Sequence, residues 1–171
     1  MSAQRAVHEL LVTRDGYDEL SAELEALRID GRRAIKERLQ EARADGHLDD
    51  NPALFDALEE QVQLERRIAV LEARLAAARI AEPTGDGRAG VGSCVQLRDL
   101  ETGEVVEYEL VGAIEGNVAE GRLSIEAPVG RAVLGSAAGD VVGVSSPRGE
   151  IRFEVMSVTA TEGRVRARKA A

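Results

Sequence analysis

Asp45-Gly46-His47-Leu48-Asp49-Asp50-Asn51-Pro52 is the stretch on which the fold turns. Gly46 is a natural helix stop, because a residue without Cβ accepts the left-handed conformation that ends helices. Asn51 suits the N-cap of a new helix, and Pro52 suits its first position, where no N–H is needed. A helix that stops and restarts across so short a joint reverses direction. The spacing therefore predicts an antiparallel hairpin with a negatively charged point. A parallel coiled-coil dimer is the alternative, and the Gly-containing joint with its Asn-Pro restart favours the hairpin.

Upstream of the joint, Thr13 is placed to cap a first helix through its hydroxyl. Tyr17, Leu20, Leu24 and Leu27 follow at 3-4-3 spacing, one apolar stripe of a coiled coil. Ile35 and Leu39 continue the stripe with a phase shift around Gly31. A helix of about 30 residues here would run roughly 45 Å. Downstream, Leu64, Ile68, Leu71 and Leu75 repeat at 4-3-4 spacing, the facing stripe.

Composition changes at Glu82-Pro83-Thr84-Gly85-Asp86-Gly87, from Ala, Leu, Glu and Arg to Gly and Val. Residues 1–82 form the predicted coiled-coil domain, 83–90 a linker, 91–160 a β-rich domain and 161–171 a basic tail. In the β-rich part, Val95, Leu97 and the run from Val105 to Val111 read as strands around the turn Glu101-Thr102-Gly103-Glu104. Leu123-Ser124-Ile125 is a short strand, Arg131 to Gly135 a short helix, and Val141–Val144 with Ile151–Val158 a second strand pair around Pro147-Arg148-Gly149. The fold class is α+β, a helical hairpin followed by a mostly antiparallel sheet.

Charged residues are 31% of the 171 and the formal net charge is -9, which disfavours duplex DNA as a direct ligand and suits a basic protein surface. Aromatics are 2%, with no Trp, so stacking platforms for single-stranded nucleic acid are missing. The single Cys94 has no internal disulfide partner and reads as a small buried hydrophobe. The two histidines, His8 and His47, lie too far apart in sequence to suggest a zinc centre. No apolar run is long enough to span a membrane and no signal segment is evident, so a cytoplasmic monomer is expected.

Several segments together resemble the bacterial Gre transcript-cleavage and elongation factors. They are Leu11-Val12-Thr13 with Gly16, Leu20 and Glu23-Leu24; Glu41-Ala42-Arg43 leading into the tip; Tyr108-Glu109-Leu110-Val111-Gly112; Ser124-Ile125 with Ala127-Pro128-Val129-Gly130-Arg131-Ala132-Val133-Leu134-Gly135; Gly139-Asp140-Val141-Val142; and Pro147-Arg148-Gly149-Glu150 with Phe153-Glu154-Val155. Their order and spacing over both halves carry the likeness. The resemblance implies a C-terminal domain similar to FK506-binding proteins, docked at the rim of the secondary channel of bacterial RNA polymerase. It also implies a coiled coil that enters the channel and brings its tip near the polymerase's catalytic Mg²⁺. The chain would have no activity or cofactor of its own.

In cleavage-competent Gre factors, the resemblance implies, two tip acids of the pattern Gly-Asp-Leu-x-Glu-Asn help hold a second Mg²⁺. Such a metal wants hard oxygen ligands at a set spacing. This chain has Gly46-His47-Leu48-Asp49-Asp50-Asn51. Asp50 keeps the second acid one methylene shorter, while His47 replaces the first with a poor Mg²⁺ ligand. Asp45 and Asp49 are nearby but out of place, and Ala53 and Leu54 replace an acid and an aromatic common in the family. Cleavage stimulation is therefore expected to be weak or lost, leaving a regulator that obstructs the channel. Two alternatives stand beside it: a true cleavage factor that shares Mg²⁺ with the polymerase through Asp50 with Asp49 or Asp45, and a coiled-coil adaptor unrelated to polymerase. The resemblance further suggests that Arg28, Arg32, Arg33 and Lys36 face the nascent RNA 3′ end, although such residues equally form a solvated, ion-paired face. Glu126, Ala127, Pro128 and Arg131 are the expected polymerase-docking residues, Ala127 standing where the family commonly carries Ser. Prolyl isomerase activity is not implied, since that pocket needs several aromatics and this half has only Tyr108 and Phe153.

Overall fold

The structure, a computed structural model, describes residues 10–44, 51–82, 86–146 and 149–160. Two compact units divide it, one of residues 17–77 and the other joining the residues up to Gly16 with those from Ala78 onward. The fold is α+β, as the sequence predicts.

The helical unit is built from α1 (Arg14–Ala26), α2 (Arg32–Ala44) and α3 (Pro52–Ala77). The first long helix is not continuous. Leu27–Gly31 forms a π-helical turn between α1 and α2. Heptad spacing continued from Leu20, Leu24 and Leu27 would turn Gly31, Ala34, Arg38 and Glu41 inward. One additional residue in a wider turn advances the register by one and brings Ile35, Leu39 and Ala42 inward instead. The phase shift seen in the sequence is this turn. Gly31 suits it, because a Cβ there would stand 3.0 Å from Leu64 Cδ1.

Two clusters hold the hairpin. Leu24, Ile68 and Leu71 are buried together, with Leu20, Leu27, Leu64 and Leu75 packed around them. Nearer the joint, Leu39 and Ala42 of α2 meet Leu54 and Ala57 of α3, with Ile35 alongside. Each fully buried Leu or Ile contributes roughly 1.5–3 kcal/mol of transfer free energy.

The other unit has a five-stranded sheet in the order β5-β4-β3-β7-β6. Its strands are β3 (Ser93–Asp99), β4 (Val105–Val111), β5 (Arg122–Ser124), β6 (Val141–Ser146) and β7 (Gly149–Ala160). The β3–β4 turn is set by Asp99, whose Oδ1 accepts the N–H groups of Glu101 at 2.7 Å and Thr102 at 3.0 Å. Gly103 supplies the left-handed residue, at φ 73°. Val95, Leu97, Leu110, Val133 and Val155 are completely buried and form the core with Ala89 and Leu123. Tyr108 and Phe153 pack on that core.

Three details go beyond the sequence expectation. The sheet is mostly antiparallel, as expected, and its one parallel pairing among the described residues is that of β4 with β5. The short helix α4 (Pro128–Val133) begins earlier than expected, with Pro128 in its first turn, because proline's fixed φ starts helices well. Gly130 allows it to sit close, since a Cβ there would fall 2.0 Å from Ser124 O. Finally, β1 (Leu10–Val12) and β2 (Ala78–Ile80) form a two-stranded parallel pair in register Leu10↔Ala78 to Val12↔Ile80. Neither strand has a recognisable period, being three residues long.

Glu115 ties the residues following β1 to the rest of their unit. Its Oε1 accepts the Thr13 hydroxyl at 2.5 Å, and Oε2 accepts the Thr13 N–H at 3.1 Å and the Gly112 N–H at 3.0 Å. Thr13 Oγ1 in turn accepts the Gly16 N–H at 3.0 Å, capping α1 as the sequence predicts. No larger residue fits beside this carboxylate: a Cβ on Gly16 would meet Glu115 Oε1 at 1.7 Å, and one on Gly112 would meet Leu11 O at 1.9 Å.

Candidate functional site

Of the tip residues that the sequence singles out, Asp45, His47, Asp49 and Asp50 lie outside the described residues. Asn51 is described, and with it both feet of the joint. Its Oδ1 accepts the Leu54 N–H at 3.2 Å, and its backbone carbonyl accepts the same N–H at 3.1 Å and that of Phe55 at 3.3 Å. Asn51 is thus the N-cap of α3, as expected. Its side chain also does something that the sequence does not announce. Nδ2–H donates to the Ala42 carbonyl of α2 at 2.6 Å, nine residues back along the chain.

The basic candidates on the hairpin prove to be largely engaged. Arg28 pairs with Glu72 at 2.7 Å, and Arg33 with Asp30 at 2.6 Å. Arg32 holds Glu65 through two parallel bonds of 2.8 Å, from Nε and Nη2. That fork raises the Arg32 pKa and lowers that of Glu65, in each case through the hydrogen bond first. Exposed pairs of this kind add little stability, yet they neutralise the charge that a phosphate would seek. Lys36 forms no ion pair among the described residues and is exposed. It lines a shallow groove between α2 and α3 with Arg32, Gln40, Arg43 and Gln61. Arg43, two turns on from Lys36 along the same face and also without an ion pair among the described residues, is a basic residue that sequence reasoning missed. Its spacing of seven from Lys36 was the available signal.

The groove on the other side of the hairpin has the opposite sign. Asp56, Glu59 and Glu60 of α3 line it with Arg38, over a floor of Gly31 and Ala34. Arg38 pairs with Glu60. Beside the acids, Phe55, Leu58 and Val62 stand 60%, 40% and 56% exposed at spacings of three and four. They form an outward apolar stripe on α3, separate from the buried one.

On the sheet unit, the expected docking residues share the corner between β5 and α4. Glu126, Pro128 and Arg131 are exposed, whereas Ala127 is half-buried as the residue preceding α4. Ser124 shapes the corner: its Oγ accepts the Glu126 N–H at 3.1 Å and its carbonyl accepts the Ala127 N–H at 3.0 Å. Leu134, exposed one helical turn beyond Arg131, extends the same surface. Cys94 is buried in β3, and burial, followed by the nearby Glu107, pushes its thiol up to about 12. It is therefore not a nucleophile near neutral pH. No described helix is long and apolar enough to cross a membrane.

A family profile described as "Transcription elongation factor, N-terminal" matches residues 10–80, and one described as "Transcription elongation factor, GreA/GreB, C-term" matches residues 83–160. The transcription elongation factor GreA of Chlorobaculum parvum is 39% identical over 152 residues, covering 87% of this chain and 96% of its own length. That of Alkaliphilus oremlandii is 40% identical over 156 residues, covering 90% of this chain and 98% of its own. Among solved structures, GreA factor homolog 1 of Thermus thermophilus is 33% identical, covers 90% of this chain and all of its own, and has a TM-score of 0.40.

Proposed function

The chain belongs to the GreA/GreB family of transcription elongation factors, and from that premise we propose that its hairpin enters the secondary channel of bacterial RNA polymerase and regulates elongation without stimulating RNA cleavage. One observation carries this reading: His47 stands at the position of the first metal-holding acid in the Gre tip pattern. Neutral imidazole is a poor ligand for Mg²⁺, and a carboxylate displaced by about 1 Å can cost on the order of 100-fold in rate. The features around the tip are compatible with protein and RNA surroundings. Phe55, Leu58 and Val62 offer apolar contact to a protein wall, and Lys36 with Arg43 offers charge to a nascent RNA 3′ end. Glu126, Pro128 and Arg131 form the rim-docking corner in this reading.

A competing reading keeps cleavage stimulation, with Asp50 and either Asp49 or Asp45 sharing a Mg²⁺ with the polymerase. Retention of an acid at Asp50 favours it. The two separate in one experiment, in which a backtracked elongation complex with Mg²⁺ receives the protein and both RNA shortening and RNA extension are followed. Slowed extension without shortening is the expected result, and shortening would overturn it in favour of the cleavage factor. His47→Asp is expected to confer shortening, with Asp50→Ala as the control. No gain would mean that the missing carboxylate is not what limits cleavage.

A further inference from the structure

The last four carbonyls of a helix have no partner within it, and the first N–H groups of the next helix have none either. Asn51 serves both deficits with one amide. Its oxygen accepts the Leu54 N–H at the start of α3, and its Nδ2–H reaches across to the Ala42 carbonyl in the last turn of α2. Ala42 is itself buried against Leu54 and Ala57, so the bond lies at the edge of a packed cluster.

We infer that Asn51 is a positioning residue for the tip, a clamp whose donor bond to Ala42 fixes the distance and register between the end of α2 and the start of α3, which the acid-bearing sequence 45–50 connects. Capping α3 is a separate task, and the crossing bond adds a directional tie between the two helices to the apolar packing of Ala42 against Leu54 and Ala57. An aspartate or serine at this position would cap equally well but bring no N–H donor. The functional consequence rests on the reading above: a tip presented at one setting acts on the polymerase centre, whereas a tip with a loosened foot binds but acts less. Sub-ångström control of that kind matters for any group working at a catalytic centre.

The test uses the full chain with Asn51→Ser and Asn51→Asp. Serine replaces the amide with a shorter hydroxyl without adding charge, and aspartate keeps the length of the side chain while removing the N–H donor. Amide hydrogen exchange is measured first, without polymerase. Both variants are expected to exchange the Arg43 and Ala44 amides about tenfold faster, the worth of one lost hydrogen bond. The Leu54 and Phe55 amides should stay within twofold of the parent, because the cap remains. Unchanged exchange at Arg43 and Ala44 would overturn the clamp. Each variant is then titrated into an elongation complex. The concentration giving half-maximal effect should move less than twofold, while the effect at saturation falls about fivefold. An unchanged saturating effect would overturn the positioning role. If the parent protein itself has no effect on extension or shortening, the polymerase reading fails, and the exchange measurement still decides the clamp.

Discussion

Glu115 shows how much a single buried carboxylate can organise. It accepts from the Thr13 hydroxyl, the Thr13 N–H and the Gly112 N–H, and all three donors lie where water does not reach. Glu115→Ala would leave them unpaired at a cost of about 1–3 kcal/mol for a buried group, and about 3 kcal/mol for the set, since neighbouring losses do not simply add. The urea transition of the sheet unit should show a lower midpoint at unchanged slope. Glu115→Gln, which keeps an acceptor oxygen, should lose less than half as much, and equal losses would mean that packing rather than bonding is at stake. The sequence reveals one side of this arrangement. A Thr ahead of an apolar stripe signals a cap, and Thr13 is one. Its other partner lies 102 residues away and has no local signature. Asn51 divides the same way, its cap being local and legible, while its bond to Ala42 exists only once two helices are packed. The basic patch was ambiguous for a related reason: an Arg's partner across a hairpin depends on a register that spacing along one helix does not give. Arg28 and Arg32 are held by Glu72 and Glu65 of the opposite helix.

The π turn at Leu27–Gly31 is the element that explains the hairpin's pattern. A five-residue turn inserts one position between Leu27 and Ile35, and the apolar stripe resumes one residue late. Ile29 points outward at 54% exposure, so it adds nothing to either cluster. Deleting Ile29 should therefore convert the turn to ordinary α-helix and leave Leu24, Leu39, Ile68 and Leu71 buried as before. Far-ultraviolet circular dichroism should show helicity retained and a thermal midpoint within a few degrees of the parent. Deleting Leu39 instead would shift the stripe out of phase, and a broad, early melt is expected. Similar melts for the two deletions would mean that the π turn is not a register device. Long periodic stripes made the helices legible in sequence, and the slip near Gly31 marked the turn without revealing its geometry. The strands β1 and β2 escaped because three residues cannot display a period, and the parallel pairing of β4 with β5 is a choice of topology rather than of local propensity.

At the scale of the molecule, the chain is two units with cores of unequal quality. The sheet unit buries Val95, Leu97, Leu110, Val133 and Val155 completely in one continuous cluster. The helical unit relies on two separate small clusters, in which Leu24, Leu39 and Leu54 keep 7–8% exposure at their edges. Elements with fewer fully buried apolar groups open at lower free energy. Unfolding of the whole chain should therefore not be two-state. The sequence supplies a convenient pair of probes, because there is no Trp and only two Tyr, with Tyr17 in the helical unit and Tyr108 on the sheet core. In Tyr17→Phe, tyrosine fluorescence reports the sheet alone, while the 222 nm dichroism is dominated by α1 to α3. The dichroism should fall first in urea, with a midpoint roughly 1 M below that of fluorescence, as a difference of a few kcal/mol and ordinary m-values require. Coincident midpoints would show that the two units unfold as one cooperative body. The hairpin would then draw its stability from the sheet unit, and its core would not be the weaker of the two.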